Sequence, residues 1–96
     1  MYILLCADDS FYVGSTWDLP TRIDQHIDGF GCEYTSKRKP VTLVYAEEFD
    51  RRDDAWAREK QVQGWGHAKR LALVEGRIDD LRELSRSYAS RRARSR

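Results

Sequence analysis

Two short β-prone runs, "YILLC" (Tyr2 to Cys6) and "FYVGS" (Phe11 to Ser15), stand only a few residues apart at the start of the chain. The intervening "ADDS" supplies aspartates and a serine, which favour a tight turn, so the chain is expected to open on a β-hairpin. A hairpin alone is marginal in water and needs a further strand or a helix against one face. Both follow. Asp18 stands where an N-cap belongs, Pro20 is tolerated in a first turn, and Leu19, Ile23 and Ile27 recur at helical spacing until Gly29. After the basic loop "GFGCEYTSKRKP", the alternating "VTLVYAEEF" (Val41 to Phe49) reads as a third strand joining the hairpin.

Asp50 is then the expected cap of a second helix running to Gly64, with short helices over "HAKRLALVEG" and "RIDDLRELSRSYA". The fold class is α/β of the α+β kind: a small three-stranded, mostly antiparallel sheet flanked by helices. With 96 residues there is room for one compact domain, expected over residues 1–84. Residues 1–84 hold 12 Lys/Arg against 16 Asp/Glu, whereas residues 85–96, "SRSYASRRARSR", hold five Arg and no acid. This Ser/Arg-rich end reads as a poorly ordered arm, able to touch phosphates through counterion release or to remain merely solvated. No apolar run reaches membrane-spanning length, and the start lacks the pattern of a secretory signal, which makes the expected location cytoplasmic. Cys6 and Cys32 stand singly, without zinc-type spacing, and are expected as reduced thiols.

Individual residues admit ordinary roles. Ala55, Glu59 and Val62, with Trp56 beside them, form the stripe that should pack on the sheet, and a carboxylate there needs a cation, a metal ion or a hydrogen-bond network. A structural ion pair to an arginine is the usual outcome. Arg22 and His26, four apart, share one surface along the margin of the Leu19–Ile23–Ile27 stripe. Tyr2 and Tyr12 suit core packing with a hydroxyl at the edge, and Gly14 within a strand marks a bend or the close approach of another group.

Together these residues resemble a family. Tyr2 in "MYILLC", Tyr12-Val13-Gly14, "DLPTRIDQH" with Arg22 and His26, "GCEYTSKRKPVTLVYAEEF", and "AREKQVQGW" with Glu59 are similar, in order and separation, to the small single-domain bacterial members of the GIY-YIG nuclease superfamily. The likeness covers residues 1 to about 75. The glycine and isoleucine that open the first motif have no counterpart before Tyr2, Val13 replaces the isoleucine of the second, and the sequence contains no asparagine, which some relatives use near the end of the domain.

The resemblance implies a metal-dependent DNA endonuclease, structure-selective and linked to repair or recombination, with a site of Tyr2, Tyr12, Arg22, His26 and Glu59. Glu59 would hold one divalent cation, Mg²⁺ or Mn²⁺. Arg22 would grip the scissile phosphate. Tyr2 would act as general base with Tyr12 and His26 positioning or relaying, provided that positive charge from Arg22 or the metal favours its phenolate; activity would then rise toward alkaline pH. Lys37, Arg38, Lys39, Lys60, Lys69 and Arg70 are the expected phosphate contacts on DNA, with RNA not excluded and protein partners unknown. Trp17, Tyr34 and Trp65 offer rings on which unpaired bases can stack, although packing is the usual role for Trp65. A nucleic-acid-binding module without turnover and an interaction domain using the basic arm are the competing classes.

Overall fold

The computed structural model describes residues 1–77 and 79–81. The hairpin is present as β1 (Tyr2–Leu5) and β2 (Phe11–Gly14), antiparallel in the register Tyr2↔Gly14 and Leu4↔Tyr12. Its turn is built by the Asp and Ser residues that favour one. Asp9 takes a positive φ of 66°, the Asp8 carboxylate accepts from both the N–H and the hydroxyl of Ser10, and the Cys6 N–H donates to the Ser10 carbonyl. The third strand, β3 (Thr42–Ala46), is shorter than expected and pairs antiparallel with β1, giving the order β2-β1-β3. Its register shifts between Ile3 and Leu4, where Val44 is the extra residue of a bulge.

The central strand β1 carries the core. Tyr2, Ile3 and Leu4 are excluded from solvent, joined by Cys6, Phe11, Val13 and Val62. Burying each of Ile3 and Leu4 stabilises by roughly 1.5–3 kcal/mol, which matters in a chain this small.

Helix α1 (Leu19–Asp28) follows its sequence signals closely. The Asp18 carboxylate accepts from the Thr21 N–H (3.3 Å) and hydroxyl (2.8 Å), and Gly29 ends the helix with φ +88°. The inward face is turned from the expected one: Ile27 is exposed, and His26 takes the fully buried position. A single turn, α2 (Glu33–Ser36), lies within the basic loop, where no helix is expected from the sequence. Helix α3 (Arg52–Gln63) begins one residue later than Asp50 would dictate. Arg51 occupies the cap position without a side-chain bond, and the acidic first turn comes from Asp53 and Asp54. Of the expected α3 stripe, Val62 is buried and Ala55 and Glu59 are half-buried, but Trp56 is exposed.

The chain divides into a first compact unit, Met1–Trp65, and a second from Gly66 onward that contains α4 (His67–Val74). The domain boundary expected at residue 84, the arm at 85–96 and most of the last expected helix lie outside the described residues. No described helix is long and apolar enough to cross a membrane.

Candidate active site

The hairpin register places Tyr2 and Tyr12 diagonally on one face of the sheet, their ring centroids 6.3 Å apart. Tyr2 lies across Gly14: a Cβ there would come within 2.7 Å of the Tyr2 hydroxyl, so the glycine in this strand is explained by a ring of the same hairpin. From α1, His26 approaches both rings, at 5.7 Å from Tyr2 and 5.1 Å from Tyr12.

A hydrogen-bonded chain runs through the buried histidine. The Tyr2 hydroxyl lies 2.8 Å from His26 Nε2, and the Thr35 hydroxyl lies 2.8 Å from His26 Nδ1. Thr35, from α2, is itself fully buried, and its hydroxyl donates to the Cys32 carbonyl at 3.4 Å. The hydroxyl proton is shared between the Cys32 carbonyl and the Cys32 Sγ, also at 3.4 Å, so we assign Nδ1 as protonated and donating to Thr35, which leaves Nε2 to accept from Tyr2. Gly31 makes room for the ring, since any Cβ there would overlap the imidazole. Gly31→Ala is therefore expected to destabilise the chain by about 1–3 kcal/mol through overpacking, read from urea unfolding midpoints; an unchanged midpoint would show that the loop yields without cost.

The electrostatics set protonation states. Burial pushes the Tyr2 phenol above its ordinary value and outweighs the Arg22 guanidinium beside it, which acts downward. Burial likewise takes Tyr12 to about 12, reinforced by Tyr2. The expected phenolate at Tyr2 is thus disfavoured in the free protein. Burial, then the Arg22 charge, lowers the His26 pKa and keeps the imidazole neutral. Arg22 is half-buried and anchored by donation to Gln25 Oε1 (3.1 Å). For Cys32 burial pushes upward, but hydrogen bonds from Thr35 and Tyr12 leave the thiol below its usual range.

Glu59 reaches the edge of the same sheet from α3. Ser15, just past β2, donates its hydroxyl to Oε1 at 2.5 Å, and Gln63 donates to Oε2 at 2.8 Å while also bonding the Val13 carbonyl at 3.1 Å. No arginine pairs with Glu59 among the described residues; its ion-pair partner is Lys60, at 4.0 Å and half exposed. The usual structural ion pair is therefore replaced by neutral donors that orient the carboxylate without cancelling its charge. The Glu59 charge is felt at Tyr2 as a minor upward push, smaller than those of burial and Cys32. No group of three or more His, Cys, Asp and Glu residues suited to a metal exists among the described residues. A single oriented carboxylate still fits a hard divalent cation whose remaining ligands are water and phosphate oxygens.

The basic residues fare unevenly. Lys37 pairs with Glu33 at 2.7 Å on the surface. Arg38 pairs with Asp8 at 3.0 Å and covers the Tyr34 ring at 3.8 Å, which in turn stacks on Tyr12. The Lys39 amine lies close to Gly29. Lys60 stands beside Glu59, whereas Lys69 and Arg70 belong to α4 of the second unit. Trp65 lies beside Arg58, 5.2 Å from ring to guanidinium. Thr35, Ser15, Gln63 and Gln25 carry no mark in the sequence that singles them out. Ser15 meets Glu59 only after folding, Gln63 is its i,i+4 neighbour on α3, and Thr35 has no signal beyond its place in the loop motif.

The model of the GIY-YIG catalytic domain matches residues 1–72. A UPF0213 protein of Staphylococcus saprophyticus is 40% identical over 74 residues, covering 77% of this chain and 90% of the relative. UPF0213 proteins of Staphylococcus haemolyticus and Staphylococcus aureus are 38% and 36% identical over 77 residues, each covering 80% of this chain and 94% of the relative. No solved structure matches the chain.

Proposed function

Because the chain belongs to the GIY-YIG family, whose domain points to nuclease activity, we propose that it is a metal-dependent DNA endonuclease that hydrolyses phosphodiester bonds in particular DNA structures during repair or recombination. The observation that carries this reading is the Tyr2–His26–Thr35 hydrogen-bonded chain, whose Tyr2 end bonds Arg22 and feels the Glu59 charge. A cytoplasmic location is part of the proposal and accords with two free cysteines.

Hydrolysis needs an attacking water, a proton acceptor, positive charge at the phosphate and relief for the leaving oxygen. In this reading Tyr2 passes its hydroxyl proton to His26 Nε2 as it takes one from water, so no free phenolate has to form first. Thr35 holds the imidazole in the accepting tautomer. Arg22, whose pKa is raised chiefly by its hydrogen bond to Tyr2, stays charged and binds a non-bridging oxygen through its planar fork. Tyr12 closes the aromatic side of the site and orients the water. Glu59 would hold one Mg²⁺ or Mn²⁺, which when bound supplies positive charge to the phosphate and the departing oxygen. Lys37, Arg38, Lys39, Lys60, Lys69 and Arg70 would contribute sequence-independent phosphate contacts, the more weakly where they are already paired.

The test is incubation of the purified chain with labelled single-stranded, duplex, nicked, flap and four-way DNA, and with RNA, in Mg²⁺ or Mn²⁺ and then in excess chelator. Cutting of DNA that the chelator abolishes is the expected result. Binding without cutting on every substrate and metal would reduce the protein to a nucleic-acid-binding module.

A further inference from the structure

A cleft of about 630 Å³ in the first unit opens beside the candidate site, with Tyr2 and Ser15, the residue that bonds Glu59, in its lining. Trp17 and Trp56 line it as well and remain 56% and 60% exposed. Large aromatic rings left open at the mouth of a concave site are uneconomical unless something covers them. Each ring has a cation nearby: the Arg52 guanidinium is 5.4 Å from Trp17 and the Lys60 amine 5.6 Å from Trp56. Met1, Leu19 and Phe49 extend the apolar wall.

The charge in this wall selects among occupants. Glu47, Glu48 and Asp50 line the cleft against a single arginine, Arg52, and Glu47 is held by Arg58 at 3.1 Å. Glu48 and Asp50, beyond the paired Glu47, repel a sugar-phosphate backbone, while a flat neutral ring enters without that penalty. Carboxylates also accept hydrogen bonds from exocyclic amino groups, which adenine and cytosine carry and thymine lacks. The volume lies in the range of pockets that enclose small organic groups.

We propose that this cleft is a subsite for an unpaired nucleobase, one nucleotide from the bond to be cut, stacked against Trp17 and Trp56 and preferring bases that bear an amino group. The position relative to the cut bond rests on the nuclease reading; the base subsite itself does not.

Tryptophan fluorescence of the full chain, titrated with oligo(dA), oligo(dC), oligo(dT) and a duplex of equal length in chelator, reads binding without turnover. Expected are stronger quenching and tighter binding by oligo(dA) and oligo(dC) than by oligo(dT), and about a tenfold or greater loss of single-strand affinity in Trp17→Ala or Trp56→Ala, the scale of one lost base stack. Phenylalanine at either position should restore much of that affinity, and duplex binding should be unmoved. Alanine variants that bind single strands like the parent would overturn the subsite, as would equal losses on duplex and single strands. Equal affinity for the three homopolymers would overturn the amino-group preference. A parent that binds unpaired DNA through these tryptophans but never cuts would keep the subsite and remove the nuclease reading; a parent that cuts, with alanine variants that bind and cut unpaired DNA equally well, would do the reverse.

Discussion

Glu59→Gln is expected to leave the chain folded and able to bind DNA while cutting it at least about a hundredfold more slowly, the scale of losing one preorganised electrostatic group. The argument rests on what surrounds the carboxylate. Its partners are two neutral donors, Ser15 at 2.5 Å and Gln63 at 2.8 Å, both able to turn to water if it is lost. Lys60, at 4.0 Å and 51% exposed, is a pair of a kind worth about 0–1 kcal/mol, so stability does not depend on it. Glutamine keeps the size and one acceptor oxygen for Ser15 but removes the negative charge that a cation requires. If Glu59 served only to tie β2 to α3, glutamine would do nearly as well, and cleavage at the parent's rate would sink the metal-holding role. Glu59→Asp adds a graded check: it retains the charge on a shorter arm, so its lost rate should be recovered in part by raising Mg²⁺ or Mn²⁺, whereas that of Glu59→Gln should not.

That carboxylate is legible because it violates a pattern, whereas the histidine is obscured by one. Glu59 interrupts the Ala55–Val62 stripe, and the rule that a half-buried charge needs a partner marks it in the sequence itself. On α1 the spacing of Leu19, Ile23 and Ile27 offers an apolar face, yet the helix turns so that His26 is buried and Ile27 is exposed. Periodicity weighs apolar residues and has no term for an imidazole satisfied at both nitrogens, by Tyr2 and by Thr35. Strands, turn and the caps of α1 are readable because they are local: Asp18, Gly29 and the Asp8–Ser10 turn act within a few residues of themselves. Asp50 is a cap signal that the helix does not use: α3 starts at Arg52, with Arg51 in the cap position and no side-chain bond there. Ser15 and Gln63 are 44 and 4 residues from Glu59, and the longer of those contacts exists only in three dimensions.

Tyr2→Phe is expected to lower the rate by about 10²–10⁴-fold, the usual contribution of a positioned acid–base group, with little change in DNA affinity. The phenol is the group that both faces the site and donates to His26 Nε2 at 2.8 Å, and phenylalanine fills the same space beside Gly14 without that proton. The pH profile distinguishes relay from simple phenolate chemistry. Burial and Arg22 hold the His26 pKa below its ordinary 6.5, so the accepting imidazole is neutral at neutral pH and is lost only as pH falls through that lowered value. The single-turnover rate should therefore fall in acid, below 6.5, and stay level from pH 7 to 9, because burial places Tyr2 above its ordinary value of 10.0. Stability follows the same sign: the unfolded chain binds the histidine proton more readily, so the contribution is present above 6.5 and disappears as pH drops through the folded value. Thr35→Val should cut the rate by freeing the imidazole to take the wrong tautomer, and Thr35→Ser should restore it, a pattern that loss of packing alone would not give. A rate that climbs steadily from pH 7 to 9 in the parent and not in Tyr2→Phe would instead assign the base to a tyrosinate formed directly, and would leave His26 with a purely positioning role.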